Sequence, residues 1–586
     1  MQSNKTARAH VADQELVDAD DAVAQDTSAP IAVERLASLS GLAAISAALA
    51  ACGGGGSSET AGSPAPPPVS GPAPAPAPAP APSSAFTLTE ASRLVAQGGF
   101  GANRAELERV LALGSAAAWL DEQIAMPRDQ GHFAWTEAKA PGGAQSAVDY
   151  SAWRKFLSSP DQLRQRMVFA LSQIFVVGLD GVPGSDRAYS VLAYLDQLEQ
   201  HAFGNFRALL QAVTLSTAMG AYLSMRNSSK ADSTGRQPDE NYAREVMQLL
   251  TIGLVQLNGD GTPRLQGGAQ IDSYGEADVS GLARVFTGWD NATDKAGRTS
   301  PMYHRPERHE TGQKVFLGLT IPANTSGPES LRVALDHLFN HANVGPFLGK
   351  QLIQRLVTSN PSKAYVGRVA AVFNNNGAGV RGDLAAVLRT ILLDPEARDS
   401  TAASADANGG KLREPVLRFA AWARACNVNS PSGDWKVPDT ADPATRLGQS
   451  PMRSPSVFNF YRPGYVPPNT AMAGAGKVAP EFQITTETSV AGYLNFMQSA
   501  ISDTGGLFSS DVKADYTAWL PLATDPAALA AQANLLIAAN QLSAARVGLI
   551  RDAITAMPSS TSTNRLNRVY AAVLLTLAAP EFLVAK

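Results

Sequence analysis

The sequence predicts a mainly α-helical protein: one large helical domain with long loops and little β structure, preceded by a signal segment and a disordered Pro/Ala tether. Three observations predict this organisation. Apolar residues recur at spacings of three and four over most of the chain after Phe86, which is typical of helices. A charge-free apolar run occupies Leu36–Ala51, and Pro, Ala, Gly and Ser dominate the stretch that follows it. We therefore divide the chain into residues 1–52, 53–85 and 86–586.

The apolar run Leu36–Ala51 indicates an export signal. It is preceded by Arg35 and is too short for a membrane-spanning helix, which needs about 20 apolar residues. It ends in Leu49-Ala50-Ala51-Cys52, which resembles the lipobox of bacterial lipoproteins, where lipid is attached to the cysteine. The segment before the run is long and acidic, whereas such segments are normally short and basic, so either the start codon lies further along or the leader is unusual. A buried core helix followed by a loop is the structural alternative.

The stretch from Gly53 to about residue 85 predicts a tether. Alternating proline between Pro72 and Pro82 favours extended polyproline II and cannot form a core. At about 3 Å per residue, some 30 residues would hold a domain several tens of ångströms from a bilayer. We expect membrane attachment through lipid at Cys52 and a location in the bacterial cell envelope, at the outer membrane or cell surface. A spacer without a membrane at either end is the alternative, and it leaves Cys52 unexplained.

Charge argues against nucleic-acid binding. Residues 1–35 carry seven acids and three bases, and the rest of the chain carries 45 of each. Nucleic acid requires a basic stripe, so a neutral body excludes that class of partner. Cys426 is the second of only two cysteines, and its helical context indicates a small buried apolar residue.

Few segments after Phe86 read as strands. The run Lys314–Leu319, extended to Ile321, is the best strand candidate. Long loops are predicted where Gly, Pro, Asn and Ser are frequent: Pro263–Gly275, Asp290–Gln313, Asn427–Gly448 and Pro463–Pro480. Because long loops in a compact domain are usually functional, they are candidate positions for a site.

Four of the seven histidines fall close together in the sequence and are candidate ligands of a divalent metal: His304, His309, His337 and His341. His337 and His341 have the i, i+4 spacing that lets two imidazoles on one helix reach one ion. No glutamate lies between them, unlike in metalloprotease helices. Packing on a solvated face is the structural alternative.

A second candidate site lies in the segment Pro238–Gln248. Glu240, Asn241, Arg244 and Glu245 lie on the first turns of an otherwise apolar helix, which Asp239 could cap. A buried carboxylate beside an arginine would be a candidate general acid or base. A simple i, i+4 salt bridge between Glu240 and Arg244 is the structural alternative. No nucleophile elbow, phosphate loop or dinucleotide fingerprint is present.

Several segments resemble, in order, the blocks of the bacterial domain-of-unknown-function 1800 family. They are Leu163–Val177, Ala202–Leu210, Pro238–Leu257, Asp278–Trp289, His309–Gly318, His341–Pro361, Gly410–Arg418, Ser454–Tyr465 and Arg568–Val584. The resemblance covers about Phe86 to Lys586. It implies an exported, largely helical protein, often encoded beside a second exported family with a sulfatase-like fold. It implies no activity.

The polar positions that match the family's motifs are Glu240, Asn241, Arg244, Glu245, His309, Lys314, His341, Arg355, Lys411, Arg413 and Glu414. Two departures are visible. Ser216-Thr217 stands where the family usually has His-Pro, and Glu310 stands where it more often has Asp.

We expect an envelope enzyme, hydrolase-like and acting on an envelope or extracellular polymer. Its catalytic residues would come from Glu240, Asn241, Arg244, Glu245, His309 and His341. The alternative is a non-catalytic surface protein that binds or assembles with an exported partner protein.

Overall fold

The computed structural model describes residues 86–139, 145–184, 187–292, 294–406, 409–503, 508 and 510–586. The leader, Cys52 and the Pro/Ala tether therefore lie outside the described residues. The described part is mainly helical, and its β structure is limited to four two-stranded antiparallel sheets. The predicted fold class is confirmed.

The first part of the domain consists mainly of α-helices, with a 3-10 turn at Leu179–Gly181. They are α1 (Leu88–Gly98), α2 (Arg104–Ala112), α3 (Ala116–Ala125), α4 (His132–Lys139), α5 (Ser146–Ser158), α6 (Gln162–Ser172), α7 (Arg187–His201), α8 (Phe206–Leu215) and α9 (Thr217–Tyr222). Local sequence fixes where the first one begins. The Thr87 hydroxyl accepts the Glu90 N–H, and the Glu90 carboxylate accepts the Thr87 N–H, which is a complete capping box.

The middle of the chain contains the small sheets. Helix α10 (Asn241–Glu245) runs directly into a π-helical turn at Val246–Thr251. Then follow β1 (Leu265–Gln266), β2 (Ala269–Gln270), α11 (Glu276–Ala283), β3 (Trp289–Asp290), α12 (Lys295–Thr299), β4 (Tyr303–His304), β5 (Lys314–Phe316) and β6 (Leu319–Ile321). The strand predicted at Lys314–Leu319 is thus a hairpin, in which Lys314 pairs with Ile321.

The next elements are longer helices and one short strand. They are α13 (Gly327–Asn340), α14 (Val344–Leu356), α15 (Lys363–Asn374), α16 (Leu384–Leu393), α17 (Pro395–Arg398), α18 (Ser400–Ala405), β7 (Lys411–Leu412) and α19 (Pro415–Ala425). The predicted loop 427–448 contains no helix among these described residues, and Pro463–Pro480 contains only α20 (Ala471–Gly474). Cys426 is free and buried, as expected.

The C-terminal part of the domain is again mainly helical. Its elements are a 3-10 turn at Pro480–Ile484, α21 (Glu487–Ser502), a 3-10 turn at Leu520–Thr524, α22 (Pro526–Ala538), α23 (Ala544–Thr555), α24 (Ser562–Leu577), α25 (Pro580–Leu583) and β8 (Val584–Ala585). Strand β8 pairs with β7, so the last residues lie against Lys411 and Leu412. No helix in the described ranges has the length and apolar character that a membrane span requires.

One continuous core connects these helices. Large side chains such as Trp119, Trp153, Trp422 and Trp519 are fully buried within it. Helix α6 packs against α1, α3, α7 and α14, and α19 packs against α5, α22 and α24. Polar side chains on α6 and at the start of α19 therefore point into the middle of the domain, where charge is costly.

Candidate functional site

The motif beginning at Glu240 forms a network of ion pairs at the surface. The Asp239 carboxylate accepts the Asn241 N–H at 2.9 Å, which satisfies one of the first amide groups of α10. Arg244 lies 3.5 Å from Glu240 and 2.9 Å from Glu276 on α11. The Glu240 carboxylate also accepts the Ser280 hydroxyl at 2.5 Å. The salt bridge between Glu240 and Arg244, which was the structural alternative, is present, and both side chains are partly exposed.

Glu245, one turn further along, is different. Glu245 is 8% exposed, and its Oε2 atom is buried without a hydrogen-bond partner in the protein. Burial raises the pKa of Glu245, and the nearby Arg244 offsets this only in part. The same carboxyl group contributes to the raised pKa of Tyr222 and Tyr274, so both phenols lie near it. Glu245 thus holds its proton more tightly than an exposed glutamic acid does.

The π-helical turn begins immediately after Glu245. The N–H of Ile252 reaches the Met247 carbonyl at 3.0 Å, and the Thr251 hydroxyl donates to the Val246 carbonyl. An extra residue in one turn costs stability, and such π-bulges are frequent at functional sites. Here the turn directly follows the unpartnered carboxyl group.

His304, the last residue of β4, and His309, in the loop that joins β4 to β5, lie together. Their rings are 5.1 Å apart and edge to face. The Nδ1 atom of His309 lies 3.0 Å from the Thr287 carbonyl, so it carries the proton, and Nε2 is buried without a partner. Burial lowers the pKa of His309 to about 4, which keeps its imidazole neutral. A side chain at Gly327, on the first turn of α13, would collide with the His304 ring, so this approach requires glycine.

One ring nitrogen of His337 and one of His341 form hydrogen bonds with nearby main-chain groups. The Nε2 atom of His337 lies 3.0 Å from the Leu317 carbonyl, and Nδ1 of His341 accepts the Asn343 N–H at 3.1 Å. The four candidate metal ligands therefore divide into two pairs. In the described ranges, the one group of three potential ligand side chains that converges is His132, Asp196 and Glu199.

That group is a poor fit to a metal ion. The Lys155 ammonium, itself fully buried, lies 2.9 Å from Glu199 and supplies the positive charge. Asp196 accepts the backbone N–H groups of His132 and Phe133 at 2.6 and 3.0 Å. Burial alone would raise the pKa of Glu199, but His132 and Lys155 lower it to about 2. These contacts describe an internal ion-pair network rather than an open coordination site.

A larger polar assembly, which the sequence did not single out as a site, lies in the middle of the domain. We call it the buried cationic cluster and define it by Arg166, Gln173, Arg355, Lys411, Arg413, Glu414, Arg418, Gln449, Tyr461 and Glu481. The cluster joins residues from four of the segments that resemble the family's blocks, because α6, α14, β7 and the loop after Ser454 meet there.

Lys411 is the central cation of the cluster. Its ammonium lies 3.4 Å from Glu414, 3.2 Å from Glu481 and 2.8 Å from the Arg355 carbonyl. Gln173 and Gln449 both donate to the Glu414 carboxylate. All these side chains are at most 5% exposed.

The two carboxyl groups respond differently to this burial. Burial would raise the pKa of Glu414, but Lys411, Arg166 and the two amides lower it below its ordinary value. Glu481 has a raised pKa because burial and the nearby Glu414 outweigh Lys411. Glu414 is therefore the anion of the cluster, and Glu481 holds its proton more tightly.

The arginines of the cluster are held by main-chain carbonyls and not by carboxylates. Arg166 donates to the Arg355 carbonyl at 2.6 Å, Arg355 donates to the Gln173 carbonyl at 2.9 Å, and Arg418 donates to the Arg413 carbonyl at 2.5 Å. No ion pair within 4.0 Å reaches any of the four guanidinium groups among the described residues. Burial lowers the pKa of Arg413 to about 10 and lowers those of Arg166, Arg355 and Arg418.

Arg355, Lys411, Arg413 and Glu414 are motif positions in the sequence, but the sequence did not place them in a site. The other six members were not predicted: Arg166, Gln173, Arg418, Gln449, Tyr461 and Glu481. One signal was available: Leu163–Val177 carries two arginines and three glutamines or serines inside an otherwise apolar helix. Charged groups in a helix that is buried all round point to a polar assembly in the core.

Searches against curated proteins and against solved structures give no match. Residues 93–584, most of the chain and nearly all of the helical domain, match the family described as a protein of unknown function, DUF1800. The chain belongs to the DUF1800 family.

Proposed function

We propose that this protein is a lipid-anchored bacterial envelope protein whose helical domain acts as a hydrolase on an envelope or extracellular polymer, with Glu245 as its proton donor. The observation that carries the proposal is the Glu245 carboxyl group, which is buried, lacks a protein partner and has a raised pKa. A general acid must be protonated at the working pH and must have no competing partner for its proton.

The surroundings of Glu245 fit this role. The partly exposed Glu240 and Arg244 lie on the same short helix, so Glu245 lies just inside the surface and not in the deep core. Protonated Glu245 would give its proton to the oxygen of the leaving group while water attacks the adjacent centre. The resulting carboxylate would then regain a proton from that water, which balances the reaction.

The test compares Glu245→Gln with Glu276→Gln. The first variant removes the proton donor and keeps the shape, whereas the second removes a surface carboxylate that pairs with the same Arg244. Purified peptidoglycan sacculi and capsular polysaccharide are the probes, and release of soluble reducing ends is the readout. We expect Glu245→Gln to lose about 100-fold or more in rate and Glu276→Gln to keep the wild-type rate. Equal rates in both variants would reject Glu245 as the acid.

The envelope location has its own test, which does not depend on catalysis. Cells are labelled with a palmitate analogue, and the protein is recovered from full-length variants. We expect Cys52→Ser to lose the label and Cys426→Ser to retain it, because Cys426 is buried and free. Label that persists in Cys52→Ser would reject the anchor.

A non-catalytic binding protein is the second candidate, and one observation favours it. Two leucines near the β1–β2 hairpin are exposed: Leu265 in β1 at 62%, and Leu254, whose carbonyl accepts the Ser273 N–H, at 58%. Exposed apolar side chains of this kind are typical of a contact surface. If an exported partner protein binds there, a Leu254→Asp, Leu265→Asp double variant will lose co-purification with it, while Glu245→Gln will keep it.

A further inference from the structure

A small cavity opens on one side of the buried cationic cluster. Its volume is about 40 Å³, enough for about three water molecules. Its polar wall is formed by Arg93, Arg166, Lys411 and Arg413, together with Gln97 and Gln541. No aspartate or glutamate is among the described residues that line it.

The cations on this wall are incompletely neutralised. Lys411 is shared between Glu414 and Glu481, which lie behind the wall. Arg93 donates to the Ala397 carbonyl at 3.1 Å and to the main-chain oxygen of Lys586. Arg413 is bound by neutral groups, the Ile537 carbonyl and the Gln541 amide oxygen. Arg166 and Arg413 are therefore the cations of this wall that lack a carboxylate partner among the described residues.

The Arg166 guanidinium group has hydrogen-bond donors that lack an acceptor. It is 1% exposed, and only its Nη2 atom finds an acceptor, whereas Nε and Nη1 are buried without a partner in the protein. Leaving two charged donors buried and unpaired is costly, more so than leaving neutral ones. An anion with several acceptor oxygens in the cavity could supply partners to these donors and remove that cost.

We propose that this cavity binds a phosphate group through Arg166, Lys411 and Arg413. A tetrahedral oxyanion matches the size of the cavity, presents paired oxygens to the forked guanidinium groups and supplies the missing negative charge. The site lies in the core, separate from Glu245, so it does not depend on the proposed hydrolase activity. Inorganic phosphate and the terminal phosphate of a larger ester share this chemistry.

The test measures phosphate binding to the full-length protein in detergent and in a buffer free of other polyvalent anions. Equilibrium dialysis with labelled inorganic phosphate gives stoichiometry and affinity, and the thermal unfolding midpoint gives an independent readout. We expect about one phosphate per chain. At 100 times the Kd, the midpoint should rise by about 2–3 °C relative to sodium chloride of the same ionic strength. Acetate at the same concentration should have no effect.

Two variants test whether phosphate binds in this cavity. Gln97→Glu places a carboxylate on the cavity wall, where the residue already accepts a hydrogen bond from Arg398, so the fold should tolerate it. We expect it to weaken phosphate binding by about tenfold or more, because like charges repel. Gln211→Glu is the matched control, since exposed Gln211 also accepts an arginine N–H, from Arg207 at 3.0 Å, and lies on α8. Arg166→Lys should also lose phosphate binding. If Arg166→Lys does not fold, Gln97→Glu still tests the site.

The outcomes are decisive. Equal binding to Gln97→Glu and wild type, no binding to wild type, or an equal effect of acetate would overturn the proposal. Binding that is weakened in Gln97→Glu and kept in Gln211→Glu supports it. Glycerol 3-phosphate then separates the sources: tighter binding than inorganic phosphate indicates a phosphate ester, and equal or weaker binding indicates the free ion.

Discussion

Charged groups are arranged in opposite ways in the Glu245 region and in the buried cationic cluster. Around Glu245, the exposed groups Glu240, Arg244 and Glu276 pair with one another, and a single carboxyl group is left alone beneath them. In the cluster, an ammonium pairs with two glutamates deep in the core, and four guanidinium groups nearby form no ion pair among the described residues. The first arrangement can release or take up a proton near water, whereas the second holds fixed positive charge and suits the binding of an anion.

The difference matters because burial changes how much one ion pair contributes to the free energy of unfolding. Surface ion pairs such as Arg244–Glu276 are screened by solvent and contribute little to stability. The Lys411 pairs are not screened, so loss of one member leaves the others uncompensated. Substitutions in the two regions should therefore separate by size and by pH dependence.

The largest effect is expected for Lys411→Met, which leaves Glu414 and Glu481 buried without their cation. We expect the free energy of unfolding to fall by about 3–5 kcal/mol, measured by urea denaturation at neutral pH. Lys513→Met is the matched control, because Lys513 lies 3.7 Å from Asp503 with both side chains nearly half exposed. It should cost less than about 1 kcal/mol. Similar losses in the two variants would show that the Lys411 ion pairs contribute no more to stability than a surface ion pair does.

An intermediate effect is expected for His309 and should depend on pH. Its folded-state pKa of about 4 lies below the ordinary histidine value of about 6.5, so protons bind the unfolded chain more strongly. The stability that neutral His309 provides is complete above pH 6.5 and is lost as pH falls toward 4, by up to about 2–3 kcal/mol.

His309→Asn tests this directly, since the asparagine amide can still donate to the Thr287 carbonyl but does not titrate. We expect the variant to lose less stability than wild type between pH 6.5 and 4. Parallel stability curves for the two proteins across that range would contradict the assignment.

The smallest effect is expected for the stability of Glu245→Gln. Because the folded-state pKa of Glu245 is raised, the wild type loses stability as pH rises from the ordinary glutamate value through that raised value. The uncharged glutamine does not, so the variant should match the wild type near pH 4 and become more stable by about 1 kcal/mol at neutral pH. A variant that is less stable than the wild type at neutral pH would indicate that Glu245 is ionised and paired.

Most of the fold could be predicted because its helices bury one face. The spacing in Glu329–Asn340 and Val344–Val357, for example, identifies α13 and α14 to within two residues. Helix α5 was not predicted, and the reason is physical. It is buried nearly all round, with Asp149, Arg154 and Lys155 inside the protein, so no polar face alternates with an apolar one.

The candidate site was only partly predictable. Glu240, Arg244 and Glu245 are close in sequence, so helical spacing alone brings them together. His304 and His309 also meet, whereas His337 and His341 do not converge with them and instead bond to the Leu317 carbonyl and the Asn343 N–H. No sequence spacing reports that a ring nitrogen already has a partner.

The amino-acid sequence by itself determined the helical period, the positions of the helix starts and the local placement of Glu245 beside Arg244. Tertiary structure alone decided that Arg166, Arg355, Lys411 and Glu414 share one buried space, although as many as 248 residues separate them. The physical reason is that helical periodicity acts over a few turns, whereas the energy of a buried charge depends on every group that packing brings within a few ångströms.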